Sequence, residues 1–497
     1  MKLQELLRGA GVRALHGDGD VEITGVTPDS RLVRDGFLFV AIPGTAKDGA
    51  EFVPQAIQKG ARAIVGAASA SPAGSQSSAG EGARRSNAFV EVEDARAALA
   101  IMAANFYGNP ADKLSIVGVT GTSGKTTTTK MVESIFDASG EPAGLIGTIE
   151  YRAGDERLSA DRTTPDAAVL QEWFAKMVDA GVKHAVMEVS SHALALKRTY
   201  GIHFAAAVFT NLSREHFDFH KDFEDYFAAK RILFDQIDRT RKTAIVNIDD
   251  EYGRRLANEL GEAVITFGRN DNAAIHPAAG MRIDVDGLHG RIVTPHGEIA
   301  MESNLLGLPN LYNWLGAIGA AQVAGMPVAT IEAGIRNLTS VRGRFERVPS
   351  ANGPTVIVDY AHKPDALEKL LYAVRDIAGT RRVVCLFGCG GDRDKGKRPQ
   401  MGEIAARLAD VVIVTSDNPR SEDPQRIVEE IIAGIHGKSH RAIVDRREAI
   451  TTAISESGKD DVIVIAGKGH ETYQVVGAEI NHFDDVEEAA IALQKRT

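Results

Sequence analysis

The residues best suited to chemistry in this chain lie in the run SIVGVTGTSGKTTTTKMVESIF, residues 115–136. An apolar strand pattern leads into Gly121, Thr122, Ser123, Gly124, Lys125, Thr126 and Thr127, and a helical pattern follows. Backbone N–H groups of such a turn and the positive end of the helix face an anion. The lysine neutralises the outer phosphates, and the hydroxyl after it can hold Mg2+. The spacing departs from the usual G-x-x-x-x-G-K-[ST], because position 119 is valine. A glycine-rich turn with a surface lysine is the bland alternative; the strand before and the threonine run after favour ATP.

A second group follows. Glu188 closes the apolar run HAVMEV and precedes Ser190, Ser191 and His192. A carboxylate at the carboxyl end of a parallel strand points into the crevice where such sheets bind ligands, and Mg2+ takes carboxylate and hydroxyl oxygens. His216, in NLSREHFDFH after the next strand, can approach the same crevice, although taken alone a histidine there is more often structural. In DFEDYFAAKRILFDQI, helical spacing places Phe223, Phe227, Lys230, Phe234 and Ile237 on one face. A lysine within an apolar stripe must snorkel, lower its pKa or be chemically altered, and periodicity alone favours snorkelling. A neutral amine there can add CO2 to become a carbamate, an anion beside the metal ions.

Elements must carry these groups to one crevice. At 497 residues the chain exceeds one core. Three α/β segments are expected, over 1–111, 112–338 and 339–497. The first mixes the strands FLFVAI and ARAIVGA with the helix PQAIQKGA. The second runs SIVGV, HAVMEV, AAAVFTNL and TAIVNI, then a helix over LPNLYNWLGAIGAAQVAG and a shorter one after Pro327. The third repeats the logic with TVIVDY, RRVVCLFG, ADVVIVTS, RAIVD and DVIVIAGKG. Strands alternating with helical patterns imply mostly parallel sheets. Residues 69–87 are rich in Ser, Gly and Ala and are expected to form a mobile surface loop.

Composition narrows the function classes. Apolar residues at 44% and charged residues at 25% suit a soluble enzyme. No apolar run reaches the roughly 18 residues of a membrane helix, and MKLQELLRGAGV lacks the marks of a signal peptide, so a cytoplasmic protein is expected. Cys385 and Cys389 cannot make a disulfide framework and are expected to pack. A net charge of −10 argues against nucleic acid held by bulk electrostatics.

Read in order, GTSGKTT (121–127), TTP (163–165), EVSSHAL (188–194), NLSREHFDFH (211–220), LPNLYN (308–313), GRFE (343–346), DYAHKPDAL (359–367), GCGGDRDKGKRP (388–399), DNPR (417–420) and GKGHE (467–471) resemble the Mur ligase family of peptidoglycan synthesis. The resemblance spans essentially the whole chain. It implies a UDP-MurNAc-peptide-binding first domain, a central ATP-binding P-loop domain and a Rossmann-like third domain for the incoming amino acid. It further implies ATP-dependent ligation of meso-2,6-diaminopimelate to the D-glutamate of UDP-N-acetylmuramoyl-L-alanyl-D-glutamate through an acyl phosphate, with Mg2+ as cofactor and a monomer as the expected state. By resemblance Ser30 contacts the uracil end, while Thr163, Thr164, Ser190 and Arg198 contact the muramoyl peptide. Glu188, His216 and Thr126 serve the metal, and Lys230 matches the family's carbamylated lysine, N6-carboxylysine, against the snorkelling preference. Asn310 and Asn313 would lie near the adenine, with Arg344, Asp359 and His362 completing the nucleotide site. Arg393, Asp417, Asn418, Pro419, Arg420, Gly467 and Glu471 would hold diaminopimelate. A cap or turn role is the alternative for each polar residue, above all Asn310 and Asp359.

Two departures stand out: Pro309-Asn310 where members commonly have Phe-Asn, and Val341-Arg342 where proline often precedes the glycine. Neither touches the phosphate or metal residues. Diaminopimelate differs from lysine by a second carboxylate, which a guanidinium such as that of Arg420 can grip with two prongs, aided by Asn418, while Glu471 accepts from an ammonium. The competing readings are the same reaction with lysine, a folylpolyglutamate synthase, and a non-catalytic uridine-nucleotide-binding module. The uridine-type first segment and DNPR argue against the second, and intact Lys125, Glu188, His216 and Lys230 against the third.

Overall fold

Short apolar runs bounded by turns become strands buried on both faces, which is what parallel sheets covered by helices require. In a computed structural model of the chain, residues 1–44, 48–67, 87–141, 143–350 and 353–496 are described. The stretch expected to be a mobile loop lies, apart from Asn87, outside those residues. The chain divides into two compact units, Met1–Gly268 with Gly316–Thr330, and Arg269–Leu315 with Ile331–Thr497.

The first unit contains two sheets. One has five strands in the order Val12–His16, Ala88–Val92, Ala63–Gly66, Phe37–Val40 and Gly25–Thr27, parallel except for the first pair. The other has eight, in the order Val264–Phe267, Ala244–Asn247, Ala206–Phe209, Ser115–Thr120, His184–Glu188, Ala143–Ile146, Glu150–Ala153 and Glu156–Ser159. Six of these are parallel, and the last two continue as an antiparallel meander. The strands ending at Thr120, Glu188 and Phe209 are immediate neighbours. Their following loops therefore open on one crevice at the carboxyl edge, where ligands of parallel sheets bind.

The second unit has a six-stranded sheet ordered Glu346–Val348, Thr355–Asp359, Val462–Ala466, Val383–Phe387, Val411–Val414 and His440–Ala442. All its pairs are parallel but the first. Thr355–Asp359 and Val383–Phe387 flank Val462–Ala466, so the DYAH, GCGG and GKGHE turns leave adjacent strands. The expected α/β class with parallel sheets is what the chain forms.

Among the features outside the sequence expectation are two antiparallel elements of the second unit. An antiparallel four-stranded sheet occupies His276–Pro277, Arg282–Asp284, Gly287–Thr294 and Gly297–Ser303, and a hairpin pairs Tyr473–Val476 with Glu479–His482. Both have a polar face, so they lack the continuous apolar runs that marked the other strands. A third difference concerns Lys230. Its helix ends at Arg231 and continues as a 3-10 turn over Ile232–Asp235 rather than as one α-helix to Ile237. Phe227, Lys230 and Phe234 are still buried together, but Phe223 is only partly covered and Ile237 lies past the helix. Cys385 and Cys389 are free and buried, and burial pushes both thiols up to about 12, consistent with packing. Among the described residues no helix is long and apolar enough to cross a membrane.

Candidate active site

The phosphate loop is held by its neighbours before any ligand arrives. Gly121 has a φ of 149°, and a Cβ there would collide with Thr210 Oγ1, so both backbone and space require glycine. Thr210 Oγ1 donates to Ser123 O at 2.7 Å, Asn211 Oδ1 accepts from Ser123 N at 3.0 Å, and Thr122 N donates to Asn211 O at 2.9 Å. The helix Lys125–Asp137 starts directly after Gly124. Lys125 Nζ donates to the carbonyls of Gly121 at 2.9 Å and Thr122 at 2.8 Å, folding the cation over its own loop. Thr126 and Thr127 are buried in the first turn.

Glu188 is 1% exposed and, among the described residues, is held by hydroxyl and amide donors rather than by a guanidinium or ammonium. Thr126 Oγ1 donates to its Oε2 at 3.0 Å, Thr148 N to Oε1 at 2.7 Å and Thr148 Oγ1 to Oε2 at 3.0 Å. A buried carboxylate beside a threonine hydroxyl is a hard oxygen set that fits Mg2+. Three metal-ligating His, Cys, Asp or Glu side chains do not meet at any one point among the described residues. An ion here would draw on Glu188 and Thr126, with His216 of the neighbouring cavity, substrate oxygens and water for the rest. His216 adopts a left-handed φ of 60° and sets its ring edge-on to His192, with centroids 4.8 Å apart. Such backbone strain in a non-glycine residue concentrates at functional sites.

Lys230 does not snorkel. It is 1% exposed, its Nζ donates to Gly121 O at 2.8 Å, and it sits 4.4 Å from the ring centroid of Tyr226. Burial, reinforced by the Lys125 cation, holds its pKa well below the ordinary lysine value. Gly121 O thus accepts from both Lys125 and Lys230.

A cavity of about 370 Å³ is lined by Lys125, Thr163, Thr164, Ser190, Arg198, His216 and Lys230, joined by Arg162, Ser191 and His192. Thr164 Oγ1 donates to Glu188 O at 2.7 Å, Arg198 donates to Thr164 O at 2.7 Å, and Thr163 Oγ1 meets Thr148 Oγ1 at 3.0 Å. A second cavity of about 600 Å³ contains Ser30, Arg96, Lys197 and, again, Arg162 and Arg198. These two arginines line both cavities, while Ser30 is set apart and donates to Gln55 Oε1 at 2.6 Å.

In the second unit, Asn310 Nδ2 donates to Leu306 O at 2.9 Å, and Asn313 Nδ2 to Asn310 Oδ1 at 3.2 Å. Asp359 is committed to its turn: Oδ2 accepts from Phe345 N and Oδ1 from Ala361 N, each at 2.8 Å, while burial raises its pKa. Both therefore have the turn-holding bonds left open as an alternative. Arg344 lies 5.1 Å from the ring centroid of Tyr360, and His362 Nδ1 is 2.8 Å from Tyr360 O, with burial lowering its pKa. The DNPR turn is mostly buried. Asn418 Nδ2 donates to Glu471 Oε2 at 2.9 Å, and Gly467, with φ of 121°, leaves no room for a Cβ because Asp417 Oδ2 would be 2.6 Å away. Pro419 is buried, and Arg420, at φ of 52°, donates to the carbonyls of Gly391 at 2.8 Å and Asn418 at 3.4 Å. Arg393 is exposed on the adjoining loop.

The chain has counterparts among known proteins. Three family models match in succession: the Mur ligase family, catalytic domain over 22–107, the Mur ligase middle domain over 119–321, and the Mur ligase, glutamate ligase domain over 343–469. The chain belongs to the Mur ligase family. This Mur ligase is 43% identical, over 100% of its length and 99% of the relative's, to the UDP-N-acetylmuramoyl-L-alanyl-D-glutamate–2,6-diaminopimelate ligase of Geobacter metallireducens. It is 45% identical to the enzyme of the same name from Gloeobacter violaceus, over 100% of this chain and 99% of the other. A solved structure of a UDP-N-acetylmuramoyl-L-alanyl-D-glutamate–2,6-diaminopimelate ligase superposes with a TM-score of 0.71 at 30% identity, covering 100% of this chain and 99% of that one.

Several residues that line or support the candidate sites escaped the sequence reading. Thr148, which supplies two of the bonds to Glu188, follows a short strand with no motif of its own. Arg162 stands one residue before the TTP motif and carried no separate signal. His192 was named beside Glu188 but given no role, because its contact with His216 depends on loop geometry. Lys468 lies inside GKGHE and could have been singled out, since a lysine after an apolar strand has to find partners when buried.

Proposed function

We propose that this Mur ligase uses ATP to join meso-2,6-diaminopimelate to the D-glutamyl residue of UDP-N-acetylmuramoyl-L-alanyl-D-glutamate, in peptidoglycan precursor synthesis. The observation that carries the reading is the cavity where the loop lysine Lys125, the buried amine of Lys230 and the polar group Thr163, Thr164, Ser190 and Arg198 meet. The names of relatives 43% and 45% identical over the whole chain supply the acceptor.

In this reading residues 1–111 hold the uridine nucleotide, with Ser30 in the larger cavity. Residues 112–338 hold ATP, and 339–497 present the amino acid. An oxygen of the glutamyl γ-carboxylate attacks the γ-phosphorus of ATP, the bond to the β–γ bridging oxygen breaks, and ADP leaves. The acceptor amine then attacks the acyl carbon and loses a proton, and phosphate departs as the amide forms. Phosphoryl transfer asks the protein mainly for positioning and charge neutralisation. Lys125 supplies the cation by moving from the carbonyls of Gly121 and Thr122 to the transferring phosphate. Loop N–H groups of residues 121–127 cradle the phosphates of the nucleotide, and Asn310, Asn313, Arg344, Asp359 and His362 are assigned to nucleotide binding by the family resemblance.

Glu188, Thr126 and His216 would hold Mg2+, which when bound spreads the negative charge of the phosphates. Lys230 is suited to become N6-carboxylysine, because a buried neutral amine can add CO2 and release a proton, turning a cation site into an anion site. Arg420, with Asn418 and Arg393, takes the distal carboxylate of diaminopimelate, and Glu471 takes an ammonium. Asp417, Pro419 and Gly467 shape that pocket.

Phosphate release from ATP by the purified protein, with the uridine-linked dipeptide present and the amino acid varied, tests the proposal. Release that requires the dipeptide and prefers diaminopimelate to lysine is expected. Equal turnover of the two diamines, or no release with either, rejects it.

A further inference from the structure

Lys468 has no role in the proposed reaction, yet it is fully buried, at 0% exposure, among the residues assigned above to the acceptor. Its Nζ donates to Asn418 Oδ1 at 3.0 Å and to Tyr473 O at 2.6 Å. It stands 3.8 Å from Asp417 Oδ1 and 3.9 Å from Glu471 Oε2. One ammonium therefore links the DNPR turn to the GKGHE turn and to the start of the hairpin Tyr473–Val476.

These bonds decide which way the Asn418 amide faces. Val475 N donates to the same Asn418 oxygen at 3.0 Å. A backbone N–H can only donate and an ammonium can only donate, so the atom they share must be the carbonyl oxygen. Nδ2 is thereby turned to Glu471 Oε2, 2.9 Å away. An amide nitrogen has a second N–H, and for Asn418 it has no protein partner among the described residues. Asn418 thus presents a donor to an incoming group. A donor suits a carboxylate and repels the ammonium of a lysine side chain.

Charge points the same way. Asp417 and Glu471 are offset by Lys468 and Arg420, whose guanidinium is tied to carbonyls rather than to a carboxylate. Removing Lys468 would leave the cluster with one extra negative charge, in a setting where burial makes each charge count. Such a pocket welcomes a second ammonium. With Lys468 in place, it favours a ligand that brings its own carboxylate.

We propose that Lys468 is a positioning residue that sets the acceptor preference: with the Val475 N–H it holds Asn418 as a donor, and it balances the charge of Asp417 and Glu471, so that an amino acid with a distal carboxylate is chosen over one with only a distal ammonium. This rests on the reading of the acceptor site given above. It assigns selectivity to a buried residue that need not touch the ligand.

The test compares kcat/KM for meso-diaminopimelate and for lysine in the full-length protein and in Lys468→Met and Lys468→Arg. A merely structural role would lower both values together, whereas the proposal predicts a change in their ratio. Lys468→Met is expected to lower the diaminopimelate-to-lysine ratio roughly tenfold, the size of one lost charge-assisted hydrogen bond, mainly through KM for diaminopimelate. Lys468→Arg, which keeps the charge and the donors, is expected to stay closer to the unaltered ratio than Lys468→Met. An unchanged ratio in Lys468→Met overturns the proposal, whatever happens to the separate rates. Should Lys468→Met not fold by circular dichroism, Lys468→Gln replaces it: a neutral polar side chain at the same place is expected to lower the ratio, and an unchanged ratio again overturns the proposal. Failure of the unaltered protein to turn over either diamine would instead strike at the ligase reading itself.

Discussion

Two lysines, one in each unit, are almost equally buried and are set up for opposite chemistry. Lys230 faces a carbonyl, an aromatic ring and the cation of Lys125. Lys468 faces an amide oxygen, a carbonyl and two carboxylates within 4 Å, at 3.8 and 3.9 Å. Burial lowers the pKa of both, but at Lys230 the neighbouring cation adds to it, whereas at Lys468 Asp417 opposes it. The first environment favours the neutral, nucleophilic form of the amine beside the phosphate loop; the second surrounds the amine with acceptors and carboxylates that favour its charged form against burial. What a buried lysine does is thus set by its second neighbour rather than by its burial.

The comparison can be broken most forcefully at Lys230. Lys230→Ala should lower kcat by about a hundredfold or more, the scale of losing electrostatic support for a transferring group. Added short carboxylic acids should restore part of the phosphate release, because they can replace the missing anion. Lys230→Arg should gain nothing from them beyond background, since a guanidinium does not shed its proton to add CO2.

Next in size is Glu188→Gln, which keeps the shape and removes the charge that Thr126 and Thr148 hold in place. Turnover should fall by roughly a hundredfold, with a higher Mg2+ requirement in a metal titration. A variant with unaltered Mg2+ dependence would remove Glu188 from the metal set. On the other side of the comparison, Arg420→Lys should raise KM for diaminopimelate by about ten- to thirtyfold, the worth of a two-pronged contact reduced to one. KM for ATP should stay nearly constant, and a parallel rise in both would contradict the assignment.

The smallest effect concerns stability. Because the pKa of Lys230 in the folded chain lies below its ordinary value of 10.5, the unfolded chain binds more protons between the two values. Stability therefore rises with pH across that window, and near neutral pH the buried amine is a cost. Lys230→Met should raise the Tm by about 2 °C in CO2-free buffer near neutral pH, with the gain shrinking as the pH climbs toward 10.5. A gain that grows with pH would reverse the sign of the argument.

Much of this was legible in the residues. Apolar runs such as HAVMEV and DVIVIAGKG carried enough pattern to locate the parallel strands, and the turns after them carried the chemistry. The antiparallel sheet over 276–303 was not legible, because GLHGRIVT and GEIAMES mix polar with apolar residues. At the site, Lys125, Thr126, Glu188 and Lys230 stood out by type and position. Thr148 and Arg162 did not, since their proximity comes from strand order rather than from spacing along the chain. Helical periodicity misjudged Lys230 in one respect: it favoured snorkelling, whereas the 3-10 turn after Arg231 and the carbonyl of Gly121 keep the amine inside.

The contrast between the two lysines is tested most directly by carbon NMR of the protein equilibrated with 13C-labelled bicarbonate. The account predicts a carbamate signal that disappears in Lys230→Ala and persists in Lys468→Met. A spectrum without a carbamate, or one whose carbamate survives Lys230→Ala, would contradict it.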